Sequence, residues 1–329
     1  MAKAVIVDYN YLGDENLFSF EIEAAKENNI ELVLERCKTE EDIISVAKDA
    51  EIIHCCGNPP ITRNVLNKLN KCKYIIRYGI GVNSVDLAAA TELNKIVYNM
   101  PGFCTEELAI HASALVLNLI RNINYYDSRI RSGEWPKTKG ITPVRLSNMT
   151  LGLYGFGGSA KPMAEIFNGG FKSRVITNDP YVDMSVCDKY GVEKVSFDEL
   201  LEQSDIISIN APLNQDTYHT FNMETFRKMK NTAMIINIAR GPLIDEEDLI
   251  EALRTGEIRY AGLDVFEKEP IDLNSPLLKM ENVVLTPHSA FFGEESLKNQ
   301  HETAARLMLE SLINKNTVIE NVANKDVLR

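Results

Sequence analysis

The sequence predicts an α/β protein made of two doubly wound domains, each built on a parallel sheet. Its 329 residues are enough for two domains of ordinary size. Short apolar runs alternate with helical segments through the first hundred residues, and a second alternating series begins at Thr150. Apolar strands separated by helices are typical of parallel sheets that are covered on both faces.

The first series contains five apolar runs that we predict to be strands: Ala4–Tyr9, Ile30–Leu34, Glu51–His54, Tyr74–Ile76 and Lys95–Tyr98. The segments between them are predicted to be the helices Leu17–Asn28, Glu40–Lys48, Thr62–Leu69 and Val85–Leu93. Thr39 stands directly before the second helix, where its side chain can cap the helix. We therefore expect one parallel sheet in this part of the chain.

Pro101-Gly102 interrupts the alternation, and a long helical stretch from Glu106 to about Arg131 follows it. One stripe of this helix is apolar and consists of Leu108, Ala112, Leu115, Val116, Leu119 and Ile120. Because the stretch is too long for a routine crossover between strands, we expect it to link the two domains.

The second series contains six predicted strands: Leu151–Tyr154, Arg174–Thr177, Ile206–Ile209, Ala233–Ile238, Tyr260–Val265 and Asn282–Leu285. Helices fill most of the gaps, including Asp198–Gln203 and Glu246–Leu253. Six strands suit a complete dinucleotide-binding domain. A final helix, about Glu294–Asn314, is expected to return to the first domain. The predicted boundaries are therefore 1–100 plus 292–329 for one domain and 101–291 for the other.

Composition and charge exclude several classes of protein. Apolar residues make up 45% of the chain and charged residues 25%, as in ordinary globular proteins, which argues against disorder and collagen-like structure. No apolar run approaches the ~18–20 residues of a membrane span, so we expect no membrane association. The net charge of −12 would repel a polyanion, so nucleic acid is not an expected partner. The six cysteines form no C-x-x-C pair, which predicts reduced thiols in a cytoplasmic protein and no metal site.

A glycine-rich turn opens the second series directly between a predicted strand and a helix. Gly155, Gly157 and Ala160 form the pattern G-x-G-x-x-A. The first glycine permits a tight turn, the second lets the backbone approach a pyrophosphate, and the alanine allows close helix–strand packing. The amides of Gly158 and Ser159 would then point at the phosphates from a helix N-terminus. Such a pattern alone also occurs in plain turns, but its place between strand and helix favours a dinucleotide site.

Asp179 ends the next predicted strand, 22 residues after Gly157. A carboxylate at that place can accept hydrogen bonds from an adenosine ribose and would repel a 2′-phosphate. The following residues, Pro180 to Asp183, include no cation that could bind such a phosphate. The sequence therefore favours NAD over NADP, with a simple turn aspartate before proline as the alternative.

Three polar residues follow three different predicted strands. Arg240, Glu269 and His288 come after the strands that end at Ile238, Val265 and Leu285. In an open parallel sheet, ligands bind outside the carboxyl ends of the strands, so the three side chains are expected at one edge. Each alone could be an ordinary loop residue.

Together these side chains could reduce a 2-oxo acid. A guanidinium holds a carboxylate through two parallel hydrogen bonds, and histidine donates a proton near neutral pH. A carboxylate beside the histidine stabilises the imidazolium and orients the ring. The roles would fall to Arg240, His288 and Glu269 in that order.

The remaining histidines fit a catalytic role less well. His111 lies within an apolar helix and is expected to be buried with its polar atoms satisfied. No partner is predicted for His219 or His301. His54 ends a strand of the first domain and is a further candidate to line a ligand-binding site.

Several motifs resemble the D-isomer-specific 2-hydroxyacid dehydrogenases. They are Asn237-Ile238-Ala239-Arg240-Gly241, Gly262-Leu263-Asp264-Val265-Phe266-Glu267-Lys268-Glu269-Pro270, Thr286-Pro287-His288-Ser289-Ala290 and Arg77-Tyr78-Gly79-Ile80-Gly81-Val82-Asn83-Ser84-Val85-Asp86. The resemblance covers about Cys72 to Ala290. It implies a flavodoxin-like substrate domain, a Rossmann NAD-binding domain and a homodimer formed through the NAD-binding domain and the long helix.

The resemblance also implies roles for particular residues. Arg240 would bind the substrate carboxylate and carbonyl, His288 would be the acid and base, and Glu269 would pair with it. The amides of Gly79, Ile80 and Gly81 would also hold the substrate carboxylate. The cofactor would contact the phosphate loop and Asp179, with further contacts from Asn210, Ala211, Pro212, Ile238 and Ala239. Asp264 would meet the nicotinamide carboxamide.

Some positions depart from the family pattern, but none of them removes a catalytic group. Ala160 replaces the commonest third glycine, Phe291 stands where tryptophan is frequent, and Asn210 takes a place often held by histidine. Segments around Cys104 and His219 are similar to the branch that contains the C-terminal-binding proteins. That branch raises the alternative of an NAD(H)-sensing scaffold, although the chain lacks long polar extensions.

Two observations bear on the substrate. Formate oxidation is disfavoured because the branch that performs it carries an amide where Glu269 stands. The candidate substrate loop Cys55–Pro60 is followed by no cation until Arg63, which disfavours a phosphorylated substrate. The expected partner is a small 2-oxo or 2-hydroxy acid of unspecified identity.

Overall fold

The computed structural model describes residues 1–7, 15–136 and 143–329, which form two compact units. Unit 1 comprises Met1–Phe103 and Gly293–Arg329, and unit 2 comprises Cys104–Phe292. Each unit contains one sheet in which all neighbouring strands run parallel. The predicted fold class of two parallel-sheet α/β domains is therefore confirmed.

Unit 1 has five strands in the order β2-β1-β3-β4-β5, which is the flavodoxin-like order. Their bounds are β1 (Lys3–Ile6), β2 (Glu31–Leu34), β3 (Ile52–Cys55), β4 (Tyr74–Arg77) and β5 (Ile96–Tyr98). The helices between them are α1 (Ser19–Glu27), α2 (Glu40–Ala47), α3 (Arg63–Lys68) and α4 (Leu87–Glu92). The last two residues of the predicted strand Ala4–Tyr9 lie outside the described residues.

The start of α2 shows how local sequence sets an element boundary in unit 1. The Thr39 hydroxyl accepts a hydrogen bond from the Asp42 amide, and the Asp42 carboxylate accepts one from the Thr39 amide. This reciprocal capping box satisfies two amides that a helix N-terminus otherwise leaves without partners. The cap predicted at Thr39 is confirmed.

Unit 2 has seven strands in the order β12-β11-β10-β9-β6-β7-β8. Their bounds are β6 (Thr150–Tyr154), β7 (Arg174–Asn178), β8 (Glu193–Lys194), β9 (Ile206–Ile209), β10 (Met234–Asn237), β11 (Tyr260–Leu263) and β12 (Val283–Leu285). The strand order reverses between β6 and β9, as in a dinucleotide-binding sheet. Strand β8 was not predicted, because its two residues, Glu193 and Lys194, carry no apolar pattern.

The sheet of unit 2 is covered on both faces by helices: α5 (Thr105–Arg121), α6 (Ile123–Arg131), α7 (Ala160–Ala164), α8 (Met184–Lys189), α9 (Phe197–Gln203), α10 (Met223–Lys228) and α11 (Glu246–Thr255). Ile206 and Ile236 belong to a core that includes the buried stripe of α5. Ile207 and Ile235, one residue away along each strand, belong to the core of α10 and α11 on the other face. This alternation follows from the two-residue period of a strand.

The helical stretch predicted from Glu106 to about Arg131 is confirmed, but it consists of two helices rather than one. The chain breaks it into α5 and α6 at Asn122, which has a left-handed backbone with φ of +52°. Asparagine tolerates this conformation better than most residues. The Asn118 side chain then accepts a hydrogen bond from the Asn124 amide and fixes the break. No residue of α6 is buried in this chain, whereas α5 buries its apolar stripe.

The last helix, α12 (Glu294–Leu312), belongs to unit 1 and packs against α1, β3 and β4. It buries both apolar and polar residues, among them Ala304, Leu307 and Met308. The segment after it adds hydrogen bonds between the Val97 amide and the Asn324 side chain, at the edge of the sheet. Unit 1 is thus completed by the C-terminal part of the chain.

We expect Gly152→Ala to destabilise unit 2. A Cβ at this buried position of β6 would lie 2.1 Å from Ser204 Oγ and 3.0 Å from Leu200 Cδ1. Overpacking of this kind lowers the free energy of unfolding by about 1–3 kcal/mol, which denaturant unfolding would measure. Gly169→Ala is the matched control, because a Cβ there meets no atom within 4 Å. Equal stability of the two variants would contradict the packing of α9 on β6.

Candidate active site

The predicted site residues of unit 2 all follow the carboxyl ends of its strands. Because the strands are parallel, these ends share one edge of the sheet. The residues are Gly155, Gly157, Gly158 and Ser159 after β6, Asp179 after β7, Asn210–Pro212 after β9, Ile238–Arg240 after β10, Asp264 after β11 and His288 after β12. Glu269 lies five residues after Asp264 in the loop that follows β11.

The glycine-rich turn makes two different uses of glycine. Gly155 has a left-handed φ of +88°, and a Cβ there would lie 2.9 Å from the Ala211 amide nitrogen. It therefore lets the turn after β6 pass against the loop after β9. Gly157 is exposed, and a Cβ there would meet no atom of the described residues within 4 Å. The open space beside its backbone fits the approach of a pyrophosphate.

The turn and the loop after β9 are joined by side chains. Ser159 Oγ donates a hydrogen bond of 3.0 Å to Asn210 Oδ1, and Asn210 Nδ2 donates to the backbone and hydroxyl oxygens of Ser208. A Cβ on Gly158 would lie 2.9 Å from Thr105 Cγ2, so this glycine also permits close packing of the turn on α5. These contacts fix the two loops that flank the reversal in strand order.

Asp179 stands at the end of β7 with both carboxylate oxygens engaged by backbone amides. One oxygen accepts from Phe156 N and the other from Tyr181 N, each at 2.8 Å. Each oxygen keeps a further lone pair that a ribose hydroxyl could use. No Lys or Arg of the described ranges forms an ion pair with this carboxylate. The geometry therefore fits an unphosphorylated ribose.

Arg240 is held in a turn organised by Asn237, a residue that sequence analysis did not single out. The Asn237 side chain donates to the Arg240 carbonyl at 2.8 Å and accepts from the Ala239 amide at 3.0 Å. The Arg240 guanidinium donates from Nη1 to the Ala239 carbonyl at 2.6 Å. Ile238 is buried and Ala239 half-buried in the same turn. The position of Asn237 at the very end of a buried strand was the available signal.

The residue after Arg240 must be glycine for a steric reason. A Cβ on Gly241 would lie 1.9 Å from the Phe266 carbonyl group and 2.4 Å from the Glu267 amide nitrogen. The loop after β10 therefore lies directly on the loop after β11. This packing brings the Arg240 turn close to the segment that carries Glu269.

Glu269 is a carboxylate held by two hydrogen bonds. Its Oε1 accepts from the Phe266 amide at 3.1 Å, and its Oε2 is 2.7 Å from His288 Nδ1. Burial by itself raises the pKa of Glu269. The hydrogen bond and charge of His288, the Phe266 amide and the charge of Arg240 outweigh burial and hold this pKa below its ordinary value.

His288 is positioned by Asp264, whose carboxylate is buried. Asp264 accepts hydrogen bonds from the Thr286 hydroxyl at 2.6 Å and from the Ser289 and Ala290 amides at 2.9 Å. The Asp264 carbonyl accepts from the His288 amide at 2.7 Å. His288 itself has a left-handed φ of +53°. The loop after β12 is thus wound around one carboxylate at the end of β11.

The other histidines have defined partners. His111 is half-buried, and its Nε2 is 2.9 Å from the Thr286 hydroxyl and 3.6 Å from Asp264. The sequence placed no partner beside His219 or His301, and the structure gives carboxylate partners to both. Buried His301 is 2.8 Å from Glu21, and His219 contacts both Asp245 and Glu267. These carboxylates are distant in sequence, so no local pattern revealed them.

His54 does not line a surface in unit 1. Its ring is fully buried, and Nδ1 is 3.1 Å from the Tyr78 hydroxyl. Burial, together with the neighbouring His301, lowers the pKa of His54 to about 3, so the ring is neutral at neutral pH. In the described structure, His54 therefore packs in the interior of unit 1 and contacts Tyr78.

The loop Gly79-Ile80-Gly81 follows β4 in unit 1. Gly79 has a φ of +131°, and a Cβ there would lie 1.6 Å from Arg77 Nη1. The Arg77 guanidinium donates to the Tyr78 carbonyl at 2.6 Å and so lies across the start of the loop. No acceptor among the described residues takes a hydrogen bond from the amides of Gly79, Ile80 or Gly81.

Two further observations on the described ranges concern membranes and metal ions. No helix there is both long and apolar enough to cross a membrane. Nowhere in those ranges do histidine, cysteine, aspartate and glutamate side chains group as they would around a metal ion. Each of the six cysteines is a free thiol.

Comparison with known proteins finds consistent similarities. Residues 113–290 match the sequence model described as "D-isomer specific 2-hydroxyacid dehydrogenase, NAD binding domain". The chain is 36% identical over 287 residues to D-3-phosphoglycerate dehydrogenase of Methanocaldococcus jannaschii, which covers 87% of this chain and 54% of that protein. It thus spans about half the length of that relative.

Two other similarities extend along nearly whole proteins. The chain is 36% identical over 299 residues to glyoxylate reductase of Thermofilum pendens, which covers 88% of this chain and 86% of that protein. The structure of D-lactate dehydrogenase with NAD+ from Lactobacillus jensenii superimposes with a TM-score of 0.77 at 27% identity, covering 98% of this chain and 99% of that one.

Proposed function

The chain belongs to the D-isomer-specific 2-hydroxyacid dehydrogenases, and from this premise we propose that it reduces a small 2-oxo acid to the D-2-hydroxy acid. Its cofactor is NAD. The observation that carries the proposal is the 2.7 Å contact between His288 Nδ1 and Glu269 Oε2, close enough to Arg240 for the arginine charge to act on Glu269. A proton donor and an anion-binding cation thereby share one edge of the sheet.

The phosphate loop and Asp179 support the binding of NAD. The open space at Gly157 admits a pyrophosphate, and the amides of Gly158 and Ser159 can bind it. Asp179 has lone pairs left for the ribose hydroxyls. We propose that Gly155, Asn210, Ala211, Pro212, Ile238, Ala239 and Asp264 complete the cofactor site.

In the forward reaction C2 of the oxo acid gains a hydride and its oxygen gains a proton. NADH supplies the hydride when bound. Arg240 can hold the substrate carboxylate with two parallel hydrogen bonds, which fixes the carbonyl beside the proton donor. In unit 1, the amides of Gly79, Ile80 and Gly81 are proposed to bind a carboxylate, since no described acceptor uses them.

His288 is the proposed proton donor. Because Glu269 accepts hydrogen bonds only, Nδ1 must carry the ring hydrogen that faces it. The other ring nitrogen, Nε2, then releases its proton to the carbonyl oxygen, and the imidazolium becomes neutral imidazole. The carboxylate stabilises the imidazolium before transfer and keeps the ring oriented after it.

The function is tested by following NADH oxidation with a panel of 2-oxo acids that includes glyoxylate, pyruvate, hydroxypyruvate and one phosphorylated acid. D- and L-2-hydroxy acids are assayed separately in the reverse direction. Turnover of a 2-oxo acid, with the D-hydroxy acid alone oxidised, is expected. NADH binding without turnover of any acid would refute the proposal and favour a scaffold that senses NAD(H).

We expect Arg240→Lys to lower kcat/KM by about 10²-fold, because lysine keeps the charge but loses the two-pronged geometry. Binding of NADH, measured by fluorescence titration, should stay within a factor of about two, since the proposed cofactor contacts of this turn involve Ile238 and Ala239. Arg254→Lys, on the exposed face of α11, is the control. Unchanged kinetics of Arg240→Lys would remove this residue from the site.

We expect Glu269→Gln to move the pH dependence of reduction. The imidazolium of His288 is the form that donates, and the carboxylate stabilises it. An amide gives the ring no such stabilisation, so the alkaline fall in kcat/KM should move to lower pH. An alkaline limb at the same pH as in the wild type would contradict the pairing.

We propose that the protein is a homodimer that uses α6. This helix buries no residue in its own chain and exposes Ile123, Ile130 and, just beyond it, Trp135. A short helix gains most of its stability from packing, so a second copy is the proposed cover. Light scattering should show a dimer for the wild type and a smaller mass for Ile123→Asp. Leu273→Asp, at a position 86% exposed, is the control and should leave the mass unchanged.

A further inference from the structure

His219 lies between β9 and α10 and touches two carboxylates. Its Nδ1 is 3.2 Å from Asp245 Oδ2, and its Nε2 is hydrogen-bonded to Glu267 Oε1. The three side chains are only about a quarter to a third exposed. The Tyr218 ring stacks on the imidazole with 3.9 Å between centroids and covers one of its faces.

The two carboxylates belong to different loops of the proposed site. Asp245 ends the segment that starts at Arg240, and it caps α11 by accepting from the Asp248 amide. Glu267 stands two residues before Glu269 in the loop after β11. The imidazole therefore bridges the loop that carries Arg240 and the loop that carries Glu269. These are the same loops that meet at Gly241.

The geometry places a ring hydrogen on the side of Glu267. A carboxylate only accepts hydrogen bonds, so Nε2 carries the hydrogen that faces Glu267, while Nδ1 lies at ion-pair distance from Asp245. Glu246 adds a third carboxylate nearby, since its Oε2 accepts from the Glu267 amide at 3.4 Å. Within the described ranges, His219 is the only basic side chain within 4.0 Å of Asp245 or Glu267.

The backbone of His219 is also held in place. It has a left-handed φ of +50°, a conformation that is costly for a residue with a side chain. Its amide donates to the Pro242 carbonyl at 2.9 Å, and its carbonyl accepts from Asn222 Nδ2 at 3.0 Å. The first of these bonds ties the residue again to the segment that follows Arg240.

We propose that His219 is a positioning residue, which fastens the Glu269 loop to the Arg240 loop through its contacts with Glu267 and Asp245. It touches none of Arg240, Glu269 or His288 within the hydrogen bonds and ion pairs of the described residues, and it acts through Glu267. Its effect on catalysis rests on the proposed function, whereas its effect on the loop does not.

The loop is tested directly by hydrogen exchange. The Phe266 amide donates to Glu269 within this loop, and the Glu267 amide donates to Glu246 at the start of α11. In His219→Gln, which keeps one donor but loses the ring that reaches both carboxylates, exchange at these amides should be about tenfold faster. Glu267→Gln breaks the same contact from the other side and should behave alike. Arg254→Gln breaks an exposed ion pair on α11 and should leave this exchange unchanged.

The link to Glu269 is tested by the pH dependence of reduction. His219→Gln should shift the alkaline limb of kcat/KM downward, as Glu269→Gln does but by less. In the Glu269→Gln background it should cause no further shift, because its effect passes through that carboxylate. A variant that only lowers the stability of the protein would leave the pH at which kcat/KM falls unchanged.

The outcomes separate this inference from the proposed function. Unchanged amide exchange at Phe266 and Glu267 in His219→Gln and Glu267→Gln would overturn the proposed link between the two loops, even if the protein reduces a 2-oxo acid. Faster exchange at these amides supports the link between the loops even if the protein reduces no such acid. Two results would overturn the route through Glu269. One is faster exchange at these amides in an active His219→Gln enzyme whose pH dependence of kcat/KM is unchanged. The other is a double variant in which the two shifts in pH dependence add.

Discussion

The close approach of the loop after β10 to the loop after β11 is the constraint on which the site depends. A Cβ on Gly241 would lie 1.9 Å from the Phe266 carbonyl group, so the two backbones meet only if this residue is glycine. The approach puts Arg240 where its charge acts on Glu269. Glu269 in turn holds the imidazole of His288. One missing methyl group thus permits a cation, a carboxylate and an imidazole to occupy one edge of the sheet.

Carboxylates organise this edge, although the chain already has a net charge of −12. Asp264 fixes the loop of His288 through three hydrogen bonds, and Asp179 fixes the turn after β6 through the Phe156 amide. Ionised oxygens form stronger hydrogen bonds than neutral ones, particularly where solvent is partly excluded. The site is therefore built from anions that bind backbone amides, which leaves the cations Arg240 and imidazolium for an anionic substrate.

Local pattern was sufficient where neighbouring residues decide the structure. The glycine turn, the cap at Thr39 and the buried strand β9 depend on residues close together in the chain. The sequence pattern failed to predict the structure where it depends on very few residues or on residues far apart in the chain. Strand β8 has only two residues. The predicted helical stretch is divided in two at Asn122 because this one residue has a left-handed backbone.

The sequence by itself determined the two parallel sheets and the placement of Arg240, Glu269 and His288 after successive strands. It could do so because apolar periodicity is local and parallel strands bring their carboxyl ends to one edge. Only the tertiary structure decided which carboxylates meet His219 and His301, since those partners lie far away along the chain. It also decided that His54 is buried, because solvent exclusion depends on everything packed around a residue rather than on its neighbours in sequence.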